Sequence, residues 1–401
     1  MKATVQFDGS TSDSFDINSG VKQGCVLAPT LFSIYFAVLL ENAFKTSPGD
    51  VYLKWRTDGS LFNLARLKAS TKTTTSKIRD LLFADDAAIV AHNESTLQSM
   101  MNQLSTACTK FSLVISVKKT VVLSQTQDTS SPTTILLNNS PLEQVNKFCY
   151  LGSTVTPSLS LDEEIGARVG KAATNFGKLM KRAWNNKMLT IKTKMHIYNA
   201  CILSSLLYGS ETWTTYSKQE KRLNTFHLRC LRKILGIKWQ DKITNVEVLQ
   251  QAGSMSISSI LCKRRLRWLG HVHRMDDQRL PKQILYGELT SGSRNRGRPK
   301  LRYKDTCKRD LKRCNINHST WNQLAGNRSS WKTTVRAGIE HLEEQLTNRA
   351  NEKRRRRKDR VVPTSNPAST TACLTCKFCN RVCRSNIGRI SHERSCCRTA
   401  T

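Results

Sequence analysis

Apolar residues recur along most of the chain, and their period changes partway. Leu31, Phe32, Tyr35, Phe36, Leu39 and Leu40 follow helical spacing. Pro29 suits the start of that helix, where its missing N–H is not needed. Leu81-Leu82-Phe83 and Ala87-Ala88-Ile89-Val90-Ala91 are short apolar runs separated by Asp85 and Asp86, which predicts strand, acidic turn, strand. Asn93 is placed to cap a helix whose apolar positions are Leu97, Met101, Leu104, Cys108 and Phe111. Leu113–Val117 predicts a returning strand, and Asp8-Gly9 predicts a hairpin turn within residues 1–20. Residues 45–60 and 68–77 are polar and predict loops. Strand and helix thus alternate through residues 1–125, as in an α/β or α+β layer.

From about residue 160 the period is helical throughout. Ile165, Val169, Ala172, Phe176, Leu179 and Ala183 form one stripe, and Leu223, Phe226, Cys230 and Ile234 another. No internal repeat is visible. Gly292–Pro299 predicts an exposed loop, and Val361–Ala372, with Pro363 and Pro367, predicts a linker.

Charge changes this picture. The 401 residues carry 64 Lys+Arg against 30 Asp+Glu, a net of +34. Such a chain is a poor receptor for cations, and its default partner is a polyanion. Residues 262–313 alone hold 17 Lys/Arg and 5 Asp/Glu, and Lys353–Lys358 is an unbroken basic run. Trp268, Tyr303, Trp321 and Trp331 interleave with the cations. Cations neutralise phosphates and aromatics stack on unpaired bases, so a nucleic-acid-binding surface is expected. The Lys353–Lys358 run also fits a nuclear import signal, and composition does not separate import from RNA binding. A nuclear location is expected, with a cytoplasmic ribonucleoprotein as the alternative.

No membrane partner is expected. The uncharged stretch Gln23–Leu40 contains Gly24, Pro29, Thr30 and Ser33 and reads as a loop entering a buried helix. The first residues lack the charged and apolar regions of a signal peptide. Of 14 cysteines, eight are scattered between Cys25 and Cys314 and read as reduced core residues.

The other six crowd into residues 373–397. Cys376-x2-Cys379-x12-His392-x3-Cys396 has the spacing of a ββα zinc finger with Cys as the last ligand. Cys383 stands where such fingers carry a core aromatic, and Arg389 where they carry Leu. Cys373, Cys383 and Cys397 are alternative ligands, so the fourth position is open. His271-x-His273 has no third ligand nearby and reads as solvated or phosphate-facing.

Phe83-Ala84-Asp85-Asp86 is the sharpest local signal. Adjacent carboxylates on a tight turn repel each other, and a divalent cation relieves that repulsion. Mg²⁺ favours carboxylate oxygens and shares its remaining positions with substrate phosphates. Asp276-Asp277 is the internal control, lying among Arg274, Gln278 and Arg279 with no flanking strands.

Four segments together resemble the reverse transcriptases of non-LTR (LINE-type) retrotransposons. Gly20–Phe32 (GVKQGCVLAPTLF) is similar to the family's Gln-Gly motif, and Phe83–Asp86 to its metal-binding palm motif. Leu113–Thr120 (LVISVKKT) is similar to the following motif, and Phe148–Gly152 (FCYLG) to the primer-grip hairpin. Leu207–Trp213 and Arg267–His271 resemble the C-terminal part of such polyproteins. The resemblance implies an α+β fold: a partial right-hand polymerase palm over 1–158, a helical thumb-like region over 159–260 and a basic nucleic-acid-binding region over 261–360. The linker 361–372 and a zinc-finger-like tail over 373–401 follow. It implies that Asp85 and Asp86 hold Mg²⁺ or Mn²⁺, that Lys119 sits near the triphosphate as a charge stabiliser or proton donor, and that Gln23 and Gly24 contact template and nucleotide. The implied partners are an RNA template and a DNA primer.

One departure governs the functional expectation. The family has a third carboxylate on an earlier motif, well upstream of the Gln-Gly loop, and only 22 residues precede Gln23 here. Asp8 lies on a turn too close to Gln23 to replace it. The expectation is a reverse transcriptase (RNA-directed DNA polymerase) fragment that does not polymerise alone and retains RNA and DNA binding. The alternative is a non-catalytic nucleic-acid-binding zinc-finger protein. An unpaired palm edge and exposed apolar surface are expected in residues 1–125, with a protein partner to cover them. Ser112 and Ser116 replace the family's usual Gly and Asn.

Overall fold

The computed structural model describes residues 2–17, 20, 24–45, 51–125, 134–292, 297, 299–359, 374–383 and 386–396. The chain opens with two nested antiparallel pairs. β1 (Lys2–Ala3) pairs with β4 (Phe15–Asp16), and β2 (Gln6–Phe7) with β3 (Ser10–Thr11). Asp8 and Gly9 turn between β2 and β3, both at positive φ, as the Asp-Gly signature requires. α1 (Ala28–Phe44) follows, with Pro29 in its first turn.

β5 (Val51–Trp55) and β6 (Thr74–Ile78) pair antiparallel where loops were expected. The sequence signal was there in weaker form: Leu53 and Trp55 alternate inward, and β6 is an edge of β-branched threonines that does not need apolar residues. β7 (Asp80–Phe83) and β8 (Asp86–Ile89) form the expected hairpin. α2 (Glu94–Lys110) begins where the Asn93 side chain accepts the Thr96 N–H at 2.8 Å. It packs on α1 through Leu39, Phe44, Met100, Leu104 and Cys108. The expected strand Leu113–Val117 does not form. Ser112 at φ +55° ends α2, the Leu113 N–H returns to the Cys108 carbonyl, and the Thr120 N–H closes a turn on Ser116.

β9 (Val121–Val122) pairs in parallel with β12 (Glu143–Gln144), while β10 (Leu136–Leu137) and β11 (Ser140–Pro141) form a hairpin. β13 (Phe148–Tyr150) and β14 (Ser153–Val155) form another, turning at Leu151 and Gly152, both at positive φ.

The rest of the unit is helical. α3 (Asp162–Lys178), α4 (Ile191–Ile197), α5 (Ser204–Leu206), α6 (Ser217–Leu235), α7 (Asn245–Gln251) and the start of α8 (Ile257–His273) enclose one core. Both expected stripes point into it: Ile165, Ala172, Phe176 and Ala183 from the first, and Leu223, Cys230 and Ile234 from the second, with Phe226 packed against it. A second core joins α8 to α9 (Leu280–Tyr286), α10 (Tyr303–Arg313), α11 (Trp321–Gly326) and α12 (Arg328–Asp359). β15 (Gly287–Leu289) adds to β5, so residues far apart in sequence share one sheet. Gly287 permits this, because a Cβ there would lie 2.7 Å from the Gln283 carbonyl and 2.9 Å from Leu53.

The chain divides into two units, Met1–Thr347 and Asn348–Thr401. The second contains the end of α12, with the exposed run Lys353–Lys358, and a small fold ending in α13 (Asn386–Cys396). The expected linker 361–372 lies outside the described residues. No helix among the described residues is long and apolar enough to cross a membrane.

His227 of α6 sits fully buried in the first core. Its Nδ1 lies 2.7 Å from the Tyr198 hydroxyl and its Nε2 3.4 Å from Ser254 Oγ. Burial pushes its pKa down to about 4. The folded state thus holds the neutral ring while the unfolded state takes up a proton near the ordinary value of about 6.5. This stability is full above pH 6.5 and is lost as pH falls from there toward 4, with a total of about 3 kcal/mol. We expect His227→Gln to flatten the loss between pH 7 and 5 in denaturant titrations; a variant as pH-sensitive as the wild type would rule this out.

Candidate metal and nucleic-acid sites

The acidic pair owes its position to a strained turn. Ala84 stands at φ +52°, a left-handed conformation that costs an alanine roughly 1 kcal/mol. The register pairs Phe83 with Asp86, so Asp85 forms the tip and Asp86 opens β8. Both carboxylates are exposed, and among the described residues neither has a cationic partner within 4 Å. Nor does a third Cys, His or carboxylate converge on them as part of a metal-ligating group.

A second hairpin supports the first. Tyr150 of β13 donates its hydroxyl to the Leu81 carbonyl at 2.8 Å, tying β13–β14 to β7–β8. Burial raises the Tyr150 pKa, and the Asp86 charge adds to it. A phenol held protonated beside Asp86 keeps its donor on the hairpin backbone. Sequence reasoning marked Phe148–Gly152 as a motif without giving Tyr150 this role, because the contact is made only when two hairpins meet.

The other expected site residues are more scattered. Gly24 is exposed at φ +88°, with open space where a Cβ would stand, just before α1. Gln23 lies outside the described residues. Lys119 is exposed on a turn whose amide bonds to Ser116, and it makes no ion pair with Asp85 or Asp86. Asp8 stays at the tip of the β2–β3 turn. The control pair has a bland explanation: Asp277 pairs with Lys282 at 2.7 Å and accepts from Thr57.

The cysteine tail converges as its spacing implies. Thr375 and Val382 bridge antiparallel, and the Cys376 N–H bonds to the Arg381 carbonyl, which makes a tight hairpin; α13 follows. The ligand atoms of Cys376, Cys379, His392 and Cys396 all lie within 4.8 Å of one another. Cys379 Sγ is 3.1 Å from His392 Nε2. Tetrahedral zinc with three thiolates and one imidazole has donor–donor edges of roughly 3.4–3.8 Å, so this set fits with a small contraction. Desolvation opposes ionisation at Cys376, yet the Phe378 and Cys379 amides and the neighbouring thiols bring its pKa below the ordinary value. Cys383 stays outside the group, and Cys373 and Cys397 lie outside the described residues.

The basic region is corrected in one respect. Trp321 and Trp331 are core residues, each 2% exposed, so neither presents a face for a base. Tyr303 is largely buried, and burial raises its pKa. Trp268 and Tyr303 are each partly open; the Trp268 ring packs against His271, and the Tyr303 hydroxyl points inward to the Arg265 carbonyl at 3.5 Å. Charge-rich flanks conceal such core residues, because helical packing buries one face and leaves cations on the other. His273 is also structural, its Nδ1 lying 2.8 Å from the Tyr286 hydroxyl.

Residues 1–155 match the family described as reverse transcriptase (RNA-dependent DNA polymerase). The chain is 24% identical over 274 residues to a transposon-derived protein of Caenorhabditis elegans, covering 65% of this chain and 95% of that protein. It is 22% identical over 253 residues to the RNA-directed DNA polymerase from mobile element jockey of Drosophila funebris, covering 61% and 25%. It is 25% identical over 224 residues to an RNA-directed DNA polymerase from transposon BS of Drosophila melanogaster, covering 54% and 22%. The aligned part is thus about a quarter of each polymerase's length.

Proposed function

We propose, on the premise that this chain belongs to the reverse transcriptases of non-LTR retrotransposons, that it binds RNA and DNA through a polymerase palm and a basic helical region but does not extend a primer by itself. The observation that carries the second half is the acidic turn, where two adjacent carboxylates are exposed and belong to no group of three or more ligands among the described residues.

Asp85 and Asp86 are suited to hold one Mg²⁺ or Mn²⁺, which binds one or two carboxylates and completes its shell with substrate phosphates. When bound, such an ion neutralises the charge that develops on a transferring phosphoryl group. The chain's own contribution is positional. The Ala84 turn projects both carboxylates into solvent, and Tyr150 steadies the hairpin that carries them. Lys119 would supply a positive charge to the triphosphate, while Gln23 and Gly24 would run along template and nucleotide. Two ions and a triphosphate must be held in line to within about 0.5 Å. With only two carboxylates the second ion is weakly held, and the expected rate is negligible.

Primer extension on an RNA template, with Mg²⁺ or Mn²⁺ and the full chain, tests this. We expect no incorporation above background. Robust incorporation that Asp85→Ala abolishes would overturn the reading. For the tail we propose a zinc site formed by Cys376, Cys379, His392 and Cys396, supported by the convergence of four soft donors.

A further inference from the structure

A cleft of about 890 Å³ opens between α8 and the first turns of α12, outside the residues that match the reverse transcriptase family. Helical periodicity builds it. Leu266, Leu269 and Val272 turn one face of α8 into the core, which leaves Lys263, Arg264, Arg267 and Arg274 on the cleft side. α12 buries Trp331 and Val335 and presents Arg328, Lys332 and Arg336 to the same cleft. Glu211 is the single acidic residue in the lining.

Two of the cations pair internally, Arg264 with Glu211 at 3.9 Å and Arg336 with Glu340 at 3.1 Å. Among the described residues no carboxylate lies within 4 Å of Lys263, Arg267, Arg328 or Lys332. Arg264 and Arg274 are also aimed by the backbone, Arg264 donating to the Leu207 carbonyl and Arg274 to that of Ala325. Burial lowers the Arg274 pKa, and the like charge of Arg328 lowers it further, so the cations repel one another where they stand. Like charges held in a concave, low-dielectric wall focus a positive potential, and an anion relieves their repulsion. The cleft also has an apolar floor. Trp331 lies there with its Nε1 donating to the Leu266 carbonyl, and Gly270 makes room for it, since a Cβ at 270 would lie 2.2 Å from Trp331 Nε1. Trp268 is on the lining with part of its surface open.

We propose that this cleft binds a single-stranded stretch of nucleic acid, its phosphates held by the cations of α8 and α12 and one base stacked on Trp268. The proposal deepens the reading of the basic region as nucleic-acid-binding and is independent of the palm's chemistry. A single strand is favoured over a duplex because a duplex hides its base faces within the stack, whereas a lone aromatic beside a cationic groove suits an unpaired base.

Fluorescence anisotropy of the full chain tests it, with labelled oligouridylate, the corresponding DNA strand and a duplex as probes. Arg267→Glu with Lys332→Glu reverses two exposed cleft charges; Lys353→Glu with Arg355→Glu makes the same charge change on the exposed end of α12. We expect the cleft pair to weaken single-strand binding at least about tenfold and to flatten the slope of log affinity against log salt by roughly 1.4, with a smaller effect for the control pair. Trp268→Ala should weaken it about tenfold, and Trp268→Phe should retain most of the affinity. Equal effects of cleft and control pairs would overturn the cleft assignment while leaving the basic-region reading intact. Wild-type binding that is flat in salt would overturn both. Duplex binding equal to single-strand binding, with Trp268→Ala silent, would overturn the single-strand assignment. RNA and DNA strands bound alike support a phosphate-and-base site; displacement of neither by an acidic peptide excludes a protein ligand, and preferential binding of that peptide would overturn the proposal.

Discussion

Asp310→Ala is expected to destabilise the larger unit by about 3–5 kcal/mol, the cost of removing one partner from a buried ion pair. Arg265 on α8 and Asp310 on α10 are both completely shielded from solvent, and Arg265 Nε lies 2.6 Å from the Asp310 carboxylate. Thr215 accepts a further guanidinium hydrogen bond at 3.2 Å, and Glu220 of α6 lies 3.9 Å away. Arg313 approaches the other Asp310 oxygen at 3.7 Å. The network thus ties α6, α8 and α10 together where the two helical cores meet. Arginine does not shed its proton in a protein interior. With Asp310 gone, the guanidinium keeps its charge, and distant Glu220 is left to balance it. Replacing both partners, as Arg265→Met with Asp310→Leu, removes the charges together and should recover most of the loss. Thermal and denaturant unfolding of the two variants distinguishes these outcomes. A drop below about 1 kcal/mol for Asp310→Ala would mean that water reaches the site and that the pair is not sealed as the structure has it.

The elements legible in the sequence are those whose causes are local. The β7–β8 hairpin was legible because two apolar runs and an acidic turn are adjacent, and α2 because Asn93 caps it directly. The helical stripes were legible because each spans several turns. The failures have distant or backbone causes. β5 is a strand because β15 pairs with it from far along the chain, and polar composition masks the inward alternation of Leu53 and Trp55. Leu113–Val117 has strand-like residues, yet the Leu113 amide turns back to close α2, the Ser116 and Val117 carbonyls accept from the turn at Thr120, and Val114 is left 95% exposed. The exposed apolar surface expected in residues 1–125 is present, most clearly on α1, where Leu31, Ile34, Tyr35 and Val38 face solvent just after exposed Val26 and Leu27.

The candidate sites follow the same rule. Asp85 and Asp86 are neighbours in sequence, so their pairing was visible, whereas the Tyr150 bond to Leu81 required two hairpins to meet. The cationic cleft was visible only as a charge excess. Its two walls come from α8 and α12, and sequence alone does not say that Arg267 and Lys332 share a space while Trp331 between them belongs to the core.

Removing zinc from the tail should have the largest effect on any part of this chain, and it should be confined to that part. The described residues of 374–396 offer a tight hairpin, one short helix and few buried side chains; among them Cys376 is the one in the buried core. A fold this small does not bury enough apolar surface to offset its ordering entropy. Arg389 pairs with Glu393 at 2.8 Å within the helix, and the Glu393 carboxylate reaches the hairpin by accepting the Lys377 N–H at 3.3 Å. Besides that contact the helix and hairpin meet at the four donors, so zinc held there as proposed would supply most of the tertiary energy, about 10–16 kcal/mol at neutral pH for such sites. We expect one zinc per chain by elemental analysis, and loss of α13 on chelation or in His392→Ala. All seven tryptophans, from Trp55 to Trp331, lie in the larger unit, so intrinsic fluorescence should stay unchanged while the tail unfolds. Cys383→Ser separates this site from its alternatives. Cys383 lies outside the converging group, so the substitution should leave zinc stoichiometry intact, whereas Cys396→Ser should weaken it severely. Zinc retained in Cys396→Ser but lost in Cys383→Ser would move the fourth ligand, and a chain with no zinc would remove the site altogether.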